Sequence, residues 1–345
     1  MKKVYRAKAP LRLGLGGGGS DLPAFFREHG GAILNATISM YAYASIEPLD
    51  NGKIEFCSRD TGECLVFDAA MQLDIEDGLC LLRGVYNRIV KDYAKKPLSF
   101  RLTTFVDVPP GSGLGSSSTL VVAMIGAFSE WLKLPLGEYD IARLAYEIER
   151  IDLGFAGGKQ DQYSAAFGGF NYLEFLPDDS VIVNSLRIKD ELMAELAFNL
   201  VLCYTSVSRV SSDIIVEQEK RFSSGESASV EAMLEVKKQA LLLKNELVVG
   251  NLRAIGENLN YGWANKKKTS LSITNSHIDD IYALALKSGA TGGKISGAGG
   301  GGFAMFYCPD ETRYDVIKAL SALNLEFRRY EFTRHGLITW TADHG

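Results

Sequence analysis

Three glycines and three consecutive serines stand at residues 111–119, GSGLGSSST, between a strand-like segment and the apolar run LVVAMIGAF. Glycine permits positive φ angles and lets a ligand approach the backbone closely. Serine hydroxyls are good helix caps, so we expect a helix to begin among Ser116, Ser117 and Ser118. The first N–H groups and the dipole of such a helix make an anion site suited to phosphate. A flexible loop followed by a well-capped helix would have the same letters, so spacing alone leaves both interpretations open.

A second glycine-rich segment, LGLGGGGSD, contains the pattern G-x-G-x-x-G at Gly14, Gly16 and Gly19, with Glu47 further on. After a strand and before a helix, this pattern allows a dinucleotide-binding Rossmann unit. The pattern recurs at residues 297–302, so one match is weak evidence. The P-loop signature G-x-x-x-x-G-K-[ST] is absent, because isoleucine follows the lysine in GGKIS. Any nucleoside triphosphate must be held by another device.

Length and composition limit the classes of protein. The 345 residues predict two domains, and 46% hydrophobic residues suffice for their cores. A net charge of -5 argues against nucleic-acid binding. With no signal peptide and no run of about 18 apolar residues, we expect a cytoplasmic protein without membrane contact. Five cysteines without a C-x-x-C pair, and four scattered histidines, predict buried free thiols rather than disulfides or a zinc site.

The elements that must position these loops alternate between strand and helix patterns. GKIEFCSRD and ECLVFD predict a hairpin, ELAFNLVLCYT and EFRRYEF predict strands, and the segment after residue 212 predicts long polar helices. The pattern is α+β, and we expect an antiparallel sheet in the C-terminal part. We place a domain boundary near Asp190, which gives domains 1–190 and 191–345.

Three motifs carry a family resemblance. PPGSGLGSSST resembles the central phosphate-binding motif of the GHMP small-molecule kinases, APLRLGLGGGGSD resembles their N-terminal motif, and GGKISGAGGGGFAMF resembles their C-terminal motif. They occur in the family's order across residues 9–306. The resemblance implies a two-domain α+β fold, with a ribosomal-S5-like N-terminal domain, a ferredoxin-like C-terminal domain and an active site between them.

The resemblance also implies that ATP and Mg²⁺ are used. Phosphoryl transfer needs a cradle for the triphosphate and a metal that bridges phosphate oxygens. For the metal the resemblance points to Ser117 and Glu149, a sparse ligand set that suits magnesium. Without the resemblance, Ser117 would be interpreted as an ordinary first-turn serine and Glu149 as a solvated helix carboxylate. The expected cradle comprises Pro110, Gly111, Ser112, Gly113, Leu114, Gly115, Ser116, Ser117 and Ser118.

Two residues carry the catalytic roles that the resemblance implies. Asp161, in GGKQDQYSAAFGG, aligns with the family's catalytic base, and Arg12, in APLR, falls where relatives carry a catalytic arginine or lysine. A carboxylate beside a cation stays ionised and can accept a hydroxyl proton, while the cation stabilises charge on the transferring group. Considered alone, Asp161 is typical of a helix cap and Arg12 of a surface strand residue.

The acceptor is the least determined part. APLRLGLGGGGSDLPAFF, ERIDLGFAGGKQDQYSAAFGG and YGWANKKKTS together resemble bacterial D-glycero-D-manno-heptose 7-phosphate kinases, whereas the G-E-H triplet typical of galactokinases is absent. This implies phosphorylation of the anomeric hydroxyl of that sugar phosphate, for the synthesis of nucleotide-activated heptose. Free fucose or galactose is the rival acceptor, and a non-catalytic sugar or ATP sensor is the alternative class. The residues expected to bind the acceptor are Gly17, Gly18, Ser20, Asp21, Lys159, Gly299 and Gly300.

The acceptor's own phosphate needs cations. Lys159 and the run Lys266–Lys268 are the candidates that the sequence offers, and the same run is also typical of a solvated helix face.

Overall fold

The computed structural model describes residues 2–76, 78–205 and 211–344. Its strands are β1 (Lys2–Gly16), β2 (Gly31–Pro48), β3 (Lys53–Ser58), β4 (Cys64–Asp68), β5 (Phe100–Val106), β6 (Phe170–Phe175), β7 (Val181–Leu186), β8 (Leu200–Tyr204), β9 (Gly292–Ile295), β10 (Phe303–Tyr307), β11 (Glu326–Phe327) and β12 (Ile338–His344). Its α-helices are α1 (Pro23–His29), α2 (Cys80–Ile89), α3 (Ser116–Leu132), α4 (Glu138–Tyr146), α5 (Gln160–Phe167), α6 (Asp190–Asn199), α7 (Ser211–Ser223), α8 (Ser227–Val249), α9 (Ala254–Lys266), α10 (Ser276–Lys287) and α11 (Thr312–Ser321). Two π-helical segments, Val90–Ala94 and Glu147–Asp152, and a 3-10 turn, Leu271–Ile273, complete the described elements.

A large sheet forms the first layer, with strand order β12-β1-β2-β5-β3-β4, and β6 and β7 branch from β2. The branch is possible because β2 is 18 residues long: its first part pairs with β6 and its second part with β5. The hairpin predicted from GKIEFCSRD and ECLVFD is confirmed as the antiparallel pair β3–β4. Helix α3 packs on β1 and β2. Its apolar residues are buried nearly all round, as expected of a helix covered on every side.

A second, smaller sheet has the order β11-β8-β10-β9, and every pair in it is antiparallel, as predicted. Side chains on one face of β10 join the main core, and those on the other face join a separate cluster with α10 and α11. The architecture is therefore two-domain α+β. The boundary near residue 190 stays a prediction.

The last strand departs from that division. Strand β12 pairs antiparallel with β1, from Lys2↔His344 to Lys8↔Ile338, so residues 338–344 belong to the large sheet. Two predicted strands are also shorter than expected. ELAFNLVLCYT starts within helix α6 and becomes a strand only at Leu200, and only Glu326 and Phe327 of EFRRYEF are strand. Period-2 patterning did not separate these short segments from helix and loop.

The Rossmann alternative is wrong. β1 and β2, which flank α1, pair antiparallel, whereas a dinucleotide-binding unit needs parallel strands around its crossover helix. Glu47 on β2 lies 3.4 Å from Arg101 instead of at a nucleotide site.

The cysteine prediction holds in part. All five thiols are free, but Cys203 and Cys308 are buried while Cys64 is exposed. Within the described ranges, no helix combines the length and the apolar character needed to cross a membrane.

Candidate functional site

A buried arginine joins the three glycine-rich segments that the sequence separates. Arg12, 2% exposed, lies on β1, and its Nε and one terminal nitrogen are each 2.7 Å from Oδ1 of Asp161. Its other terminal nitrogen donates to the Gly113 carbonyl at 2.7 Å and to the Ser296 hydroxyl at 3.3 Å. One side chain therefore connects strand β1, the loop before α3, helix α5 and the loop after β9.

Asp161 has one oxygen in use and one available. It is the second residue of α5, and no side chain caps that helix, so the interpretation of Asp161 as a structural cap is not supported. Arg12 contacts Oδ1 only, and no described residue donates to Oδ2. A Cβ at Gly115 would lie 3.2 Å from Oδ2, so the free oxygen faces the loop before α3. A carboxylate oxygen held in this way is placed to accept a proton from a hydroxyl against that loop.

The loop before α3 and the C-terminal glycine loop pack backbone against backbone. Gly113 has φ +77°, and a Cβ there would lie 2.4 Å from the Ser296 carbonyl oxygen. A Cβ at Gly297, with φ +79°, would lie 2.9 Å from the Gly113 Cα. The Phe303 N–H donates to the Ser112 carbonyl at 2.9 Å. No side chain fits between these loops, which explains glycine at both positions.

The start of α3 differs from the prediction in one respect. The helix begins at Ser116 after Gly115, whose φ is +78°, but no serine hydroxyl caps it, so the capping prediction is wrong. The N–H groups of Ser116, Ser117 and Ser118 precede the first intrahelical bond, which Thr119 donates to the Gly115 carbonyl. Unpaired N–H groups at a dipole end that lines a cleft make an anion site.

The Ser117 hydroxyl is committed to a buried carboxylate instead. It lies 3.0 Å from Oε1 of Glu149, which is fully buried in the π-helical segment. The Gln162 amide donates to Oε2 of Glu149 at 2.6 Å, and Arg150 approaches Oε1 at 3.9 Å. Among the described residues no group of three His, Cys, Asp or Glu side chains could hold a metal. The hydroxyl–carboxylate pair fits a magnesium ion, which takes few protein ligands and completes its shell with water and phosphate oxygens.

A carboxylate and a lysine lie at the N-terminal glycine segment. Asp21 is 2% exposed and accepts from the Gln160 N–H at 3.0 Å and the Gly19 N–H at 3.2 Å. Burial raises its pKa, against the lowering effect of these hydrogen bonds. The ammonium of Lys266 donates to the Gly18 carbonyl at 2.8 Å. Acidic and basic groups thus stand together where a polar ligand would meet both.

These groups border one cleft of about 510 Å³. The predicted residues that line it are Arg12, Asp21, Gly111, Gly113, Gly115, Ser116, Ser117, Ser118 and Asp161, together with Lys266.

Other predicted residues lie behind the lining. Ser112 and Leu114 are buried, Pro110 is exposed, and Glu149 lies behind Ser117. The Ser20 hydroxyl is occupied by both backbone groups of Ala32.

The remaining glycines predicted for the acceptor also serve packing. A Cβ at Gly17 would lie 1.9 Å from the Ala32 carbonyl oxygen. Gly299 and Gly300 pack on Ile273, whose carbonyl accepts from the Gly300 N–H at 2.7 Å.

Lys159 does not line the cleft. It is 5% exposed, and its ammonium contacts the carbonyl oxygen of Asp179 at 2.8 Å and its carboxylate at 3.3 Å. The rings of Phe26 and Tyr146 lie 4.9 and 5.1 Å from the ammonium. Burial lowers the pKa of Lys159.

Sequence reasoning missed part of the cleft wall. Arg150, in the π-helical segment, lines the cleft and donates to the Ser118 hydroxyl at 3.3 Å. Residues 154–158 and the α7 residues Ile215 and Gln218 also line it. The run EIER is typical of a solvated helix face. The family resemblance singled out Glu149 in it, but no spacing signal pointed to Arg150.

Comparison with known proteins places the chain in a family. Models of the N-terminal and C-terminal domains of GHMP kinases match residues 81–169 and 239–327. A D-glycero-alpha-D-manno-heptose 7-phosphate kinase of Campylobacter jejuni is 46% identical over 338 residues, which cover 98% of this chain and 99% of that protein.

Solved structures agree. The crystal structure of a D-glycero-D-manno-heptose 1-phosphate kinase from Bacteroides thetaiotaomicron matches with a TM-score of 0.84 and 43% identity, over 97% of this chain and 98% of that one. A Lactococcus lactis galactokinase bound to galactose shares the fold, with a TM-score of 0.75 and 19% identity over 97% and 95% of the two chains. With both domain models matched and near-full-length identity of 46%, the chain belongs to the GHMP kinase family.

Proposed function

We propose that this GHMP kinase transfers the γ-phosphoryl group of ATP to the anomeric hydroxyl of D-glycero-D-manno-heptose 7-phosphate, which gives the 1,7-bisphosphate. The observation that carries the proposal is 46% identity to a kinase named for that substrate, over nearly the whole of both chains. The similar structure from Bacteroides thetaiotaomicron is named for a heptose 1-phosphate instead, so the position of the acceptor phosphate needs a direct test.

The cleft supports the phosphoryl-transfer step. N–H groups at the start of α3 would bind the triphosphate, and Arg12 would stabilise charge on the transferring group. The free Oδ2 of Asp161 would take the proton of the attacking hydroxyl. Ser117 and Glu149 would hold magnesium, which supplies neutralisation of charge on the phosphate oxygens. Asp21, with its two oxygens already oriented by N–H groups, would receive hydroxyls of the sugar.

A panel of acceptors tests the proposal. The purified chain is incubated with MgATP and, separately, heptose 7-phosphate, heptose 1-phosphate, unphosphorylated heptose, fucose and galactose, and ADP release is measured. We expect the highest kcat/KM with heptose 7-phosphate and a product carrying a new phosphate on the anomeric carbon, seen by phosphorus NMR. Higher kcat/KM with fucose, galactose or the 1-phosphate would overturn the choice of acceptor.

A further inference from the structure

We propose that Lys266 and Lys294 together bind the phosphate group that the sugar acceptor already carries, and that Lys159 does not. The inference rests on the proposed function only in that the acceptor is a sugar phosphate. Lys294 lies in the C-terminal glycine motif, in which only Gly299 and Gly300 are predicted from the sequence to bind the acceptor.

Lys266 is a buried cation with an incomplete environment. It ends helix α9, is 6% exposed, and its ammonium borders the cleft beside Gly19. One carbonyl, that of Gly18, accepts from it at 2.8 Å, and no carboxylate of the described residues lies within ion-pair distance. An ammonium has three donors, so two remain for a ligand. Burial lowers its pKa to about 8, with Asp21 acting in the opposite direction.

Lys294 is the second cation without a counter-ion. It lies on β9, paired with Met305 of β10. Met305 belongs to the core shared with the large sheet, whereas Ile295, the next residue along β9, belongs to the C-terminal cluster. Because side chains alternate along a strand, Lys294 faces the junction between the two sheets. No hydrogen bond or ion pair from its ammonium is made within the described ranges. Burial, Lys266 and Arg12 lower its pKa to about 7.

Lys266, which lines the cleft, and Lys294, whose charge acts on it, form the proposed Lys266–Lys294 pocket, in which no carboxylate of the described residues pairs with either ammonium. Charges removed from water are costly unless paired, and Asp21, the carboxylate whose charge acts on Lys266, is already held by two N–H groups. A phosphate dianion would supply both charges and acceptor oxygens for the free donors. Lys159 is not an unpaired cation, because its ammonium already contacts the carboxylate and the carbonyl oxygen of Asp179. The chemistry therefore favours the Lys266–Lys294 pocket for the acceptor's phosphate.

The test compares kinetics with phosphorylated and unphosphorylated heptose in Lys266→Met and Lys294→Met. A charge-assisted contact to phosphate gives roughly a tenfold or greater preference for the phosphorylated sugar. We expect each variant to raise KM for heptose 7-phosphate by about tenfold or more, with smaller changes for the unphosphorylated sugar and in kcat. Lys267→Met is the matched control, since Lys267 is next in the chain and already lies 3.7 Å from Asp279. An unchanged preference in both test variants, or its loss in Lys159→Met alone, would overturn the inference.

A binding measurement separates this inference from the proposed function. Inorganic phosphate is titrated into the Ser117→Tyr variant, in which the loop before α3 is blocked, with and without Lys266→Met or Lys294→Met. We expect phosphate to raise the melting temperature of Ser117→Tyr and to lose this effect in the double variants. If heptose 7-phosphate is not a substrate but this loss occurs, the proposed function fails and the pocket stands. If phosphate stabilises all variants equally, these lysines do not bind phosphate, whatever the acceptor is. Lys266→Gln and Lys294→Gln replace any Met variant that does not fold.

Discussion

At the scale of single residues, the site depends on side chains whose hydrogen-bonding groups are only partly satisfied by the protein itself. Asp161 gives Oδ1 to Arg12 and leaves Oδ2 open, and Lys266 donates to one carbonyl. The contacts that these groups already make act on folding, whereas their open positions, Oδ2 of Asp161 and two donors of Lys266, remain for a ligand. Their substitution should therefore change function more than stability.

The Asp161→Asn variant separates these two effects. Asparagine keeps an oxygen for Arg12 but cannot accept a proton, so kcat should fall by about 10²-fold or more, a larger effect than the drop in melting temperature that follows from losing the charge opposite Arg12. Asp315→Asn is the matched control, because Asp315 is also in the first turn of a helix, α11, and is exposed away from the cleft. Equal losses of stability and activity in Asp161→Asn would instead favour a structural role.

Ser117 controls access to the loop before α3. A tyrosine there would fill the space that phosphate oxygens need, so MgATP turnover should disappear while the chain stays folded, as checked by ADP release and circular dichroism. Ser227→Tyr, in the exposed first turn of α8, controls for the substitution itself. Undiminished turnover in Ser117→Tyr would remove this loop from the nucleotide site.

Lys266, which is buried, and Lys294, which is half-buried, give the stability of the fold a pH dependence. Their folded pKa values, about 8 for Lys266 and about 7 for Lys294, lie below the roughly 10.4 of lysine in an unfolded chain. At a pH between the folded and unfolded pKa values, the unfolded chain binds more protons than the folded one, so the free energy of unfolding rises with pH. The two lysines therefore destabilise the fold most below about pH 7, and this destabilisation fades as pH rises towards 10. The groups that face them are Asp21 and Arg12.

Lys266→Met should therefore melt at a higher temperature than the parent chain at pH 7, in the absence of ligand. The difference should shrink as pH approaches 10, measured by thermal melts from pH 6 to 10. A difference that is independent of pH would mean that the charge of Lys266 costs nothing in the folded protein.

The sequence was sufficient to locate the site residues that lie in short, recognisable motifs. Such motifs contain the loop at residues 111–118, Arg12 and Asp161, and the structure brings all three to one cleft. It could not orient Lys159, since Asp179 approaches it from a turn about 20 residues away. Nor could it single out Lys294, because only the pairing of β9 and β10 decides which way that side chain faces.

At the scale of elements, the cleft depends on how closely the loop before α3 and the loop after β9 approach each other. Their contact is backbone on backbone, and Arg12 and the Ser296 hydroxyl both bond to the Gly113 carbonyl. The fold class was predictable from alternating patterns, but this contact joins residues about 180 positions apart.

Gly113→Ala should break that contact. The added Cβ would lie 2.4 Å from the Ser296 carbonyl oxygen, so we expect a large loss of activity and a lower melting temperature. Gly62→Ala is a close control, since Gly62 has nearly the same φ, +74° against +77°, with nothing within 4 Å. Both variants carry the φ strain of alanine, about 1 kcal/mol or more, so the difference between them measures the contact. Similar effects in both would show that strain alone matters.

At the scale of the whole molecule, the cleft lies where two sheets meet, and the chain crosses between them twice. It leaves the large sheet after β7, builds the small sheet, and returns to the large sheet in β12. The two crossings tie the C-terminal domain to the first at both of its ends. The division at residue 190 describes the main mass of each part but not the path of the chain.

The return of β12 also sets an order in time. During synthesis β1 precedes the other described elements, and the strand that covers its outer edge follows all of them. Until then residues 2–8 of β1 present open N–H and C=O groups, the kind of edge that pairs with other chains. Pairing at residues 2–8 of β1 is therefore completed only after residues 338–344 have been made. A chain that ends before residue 338 would leave this strand edge without its partner.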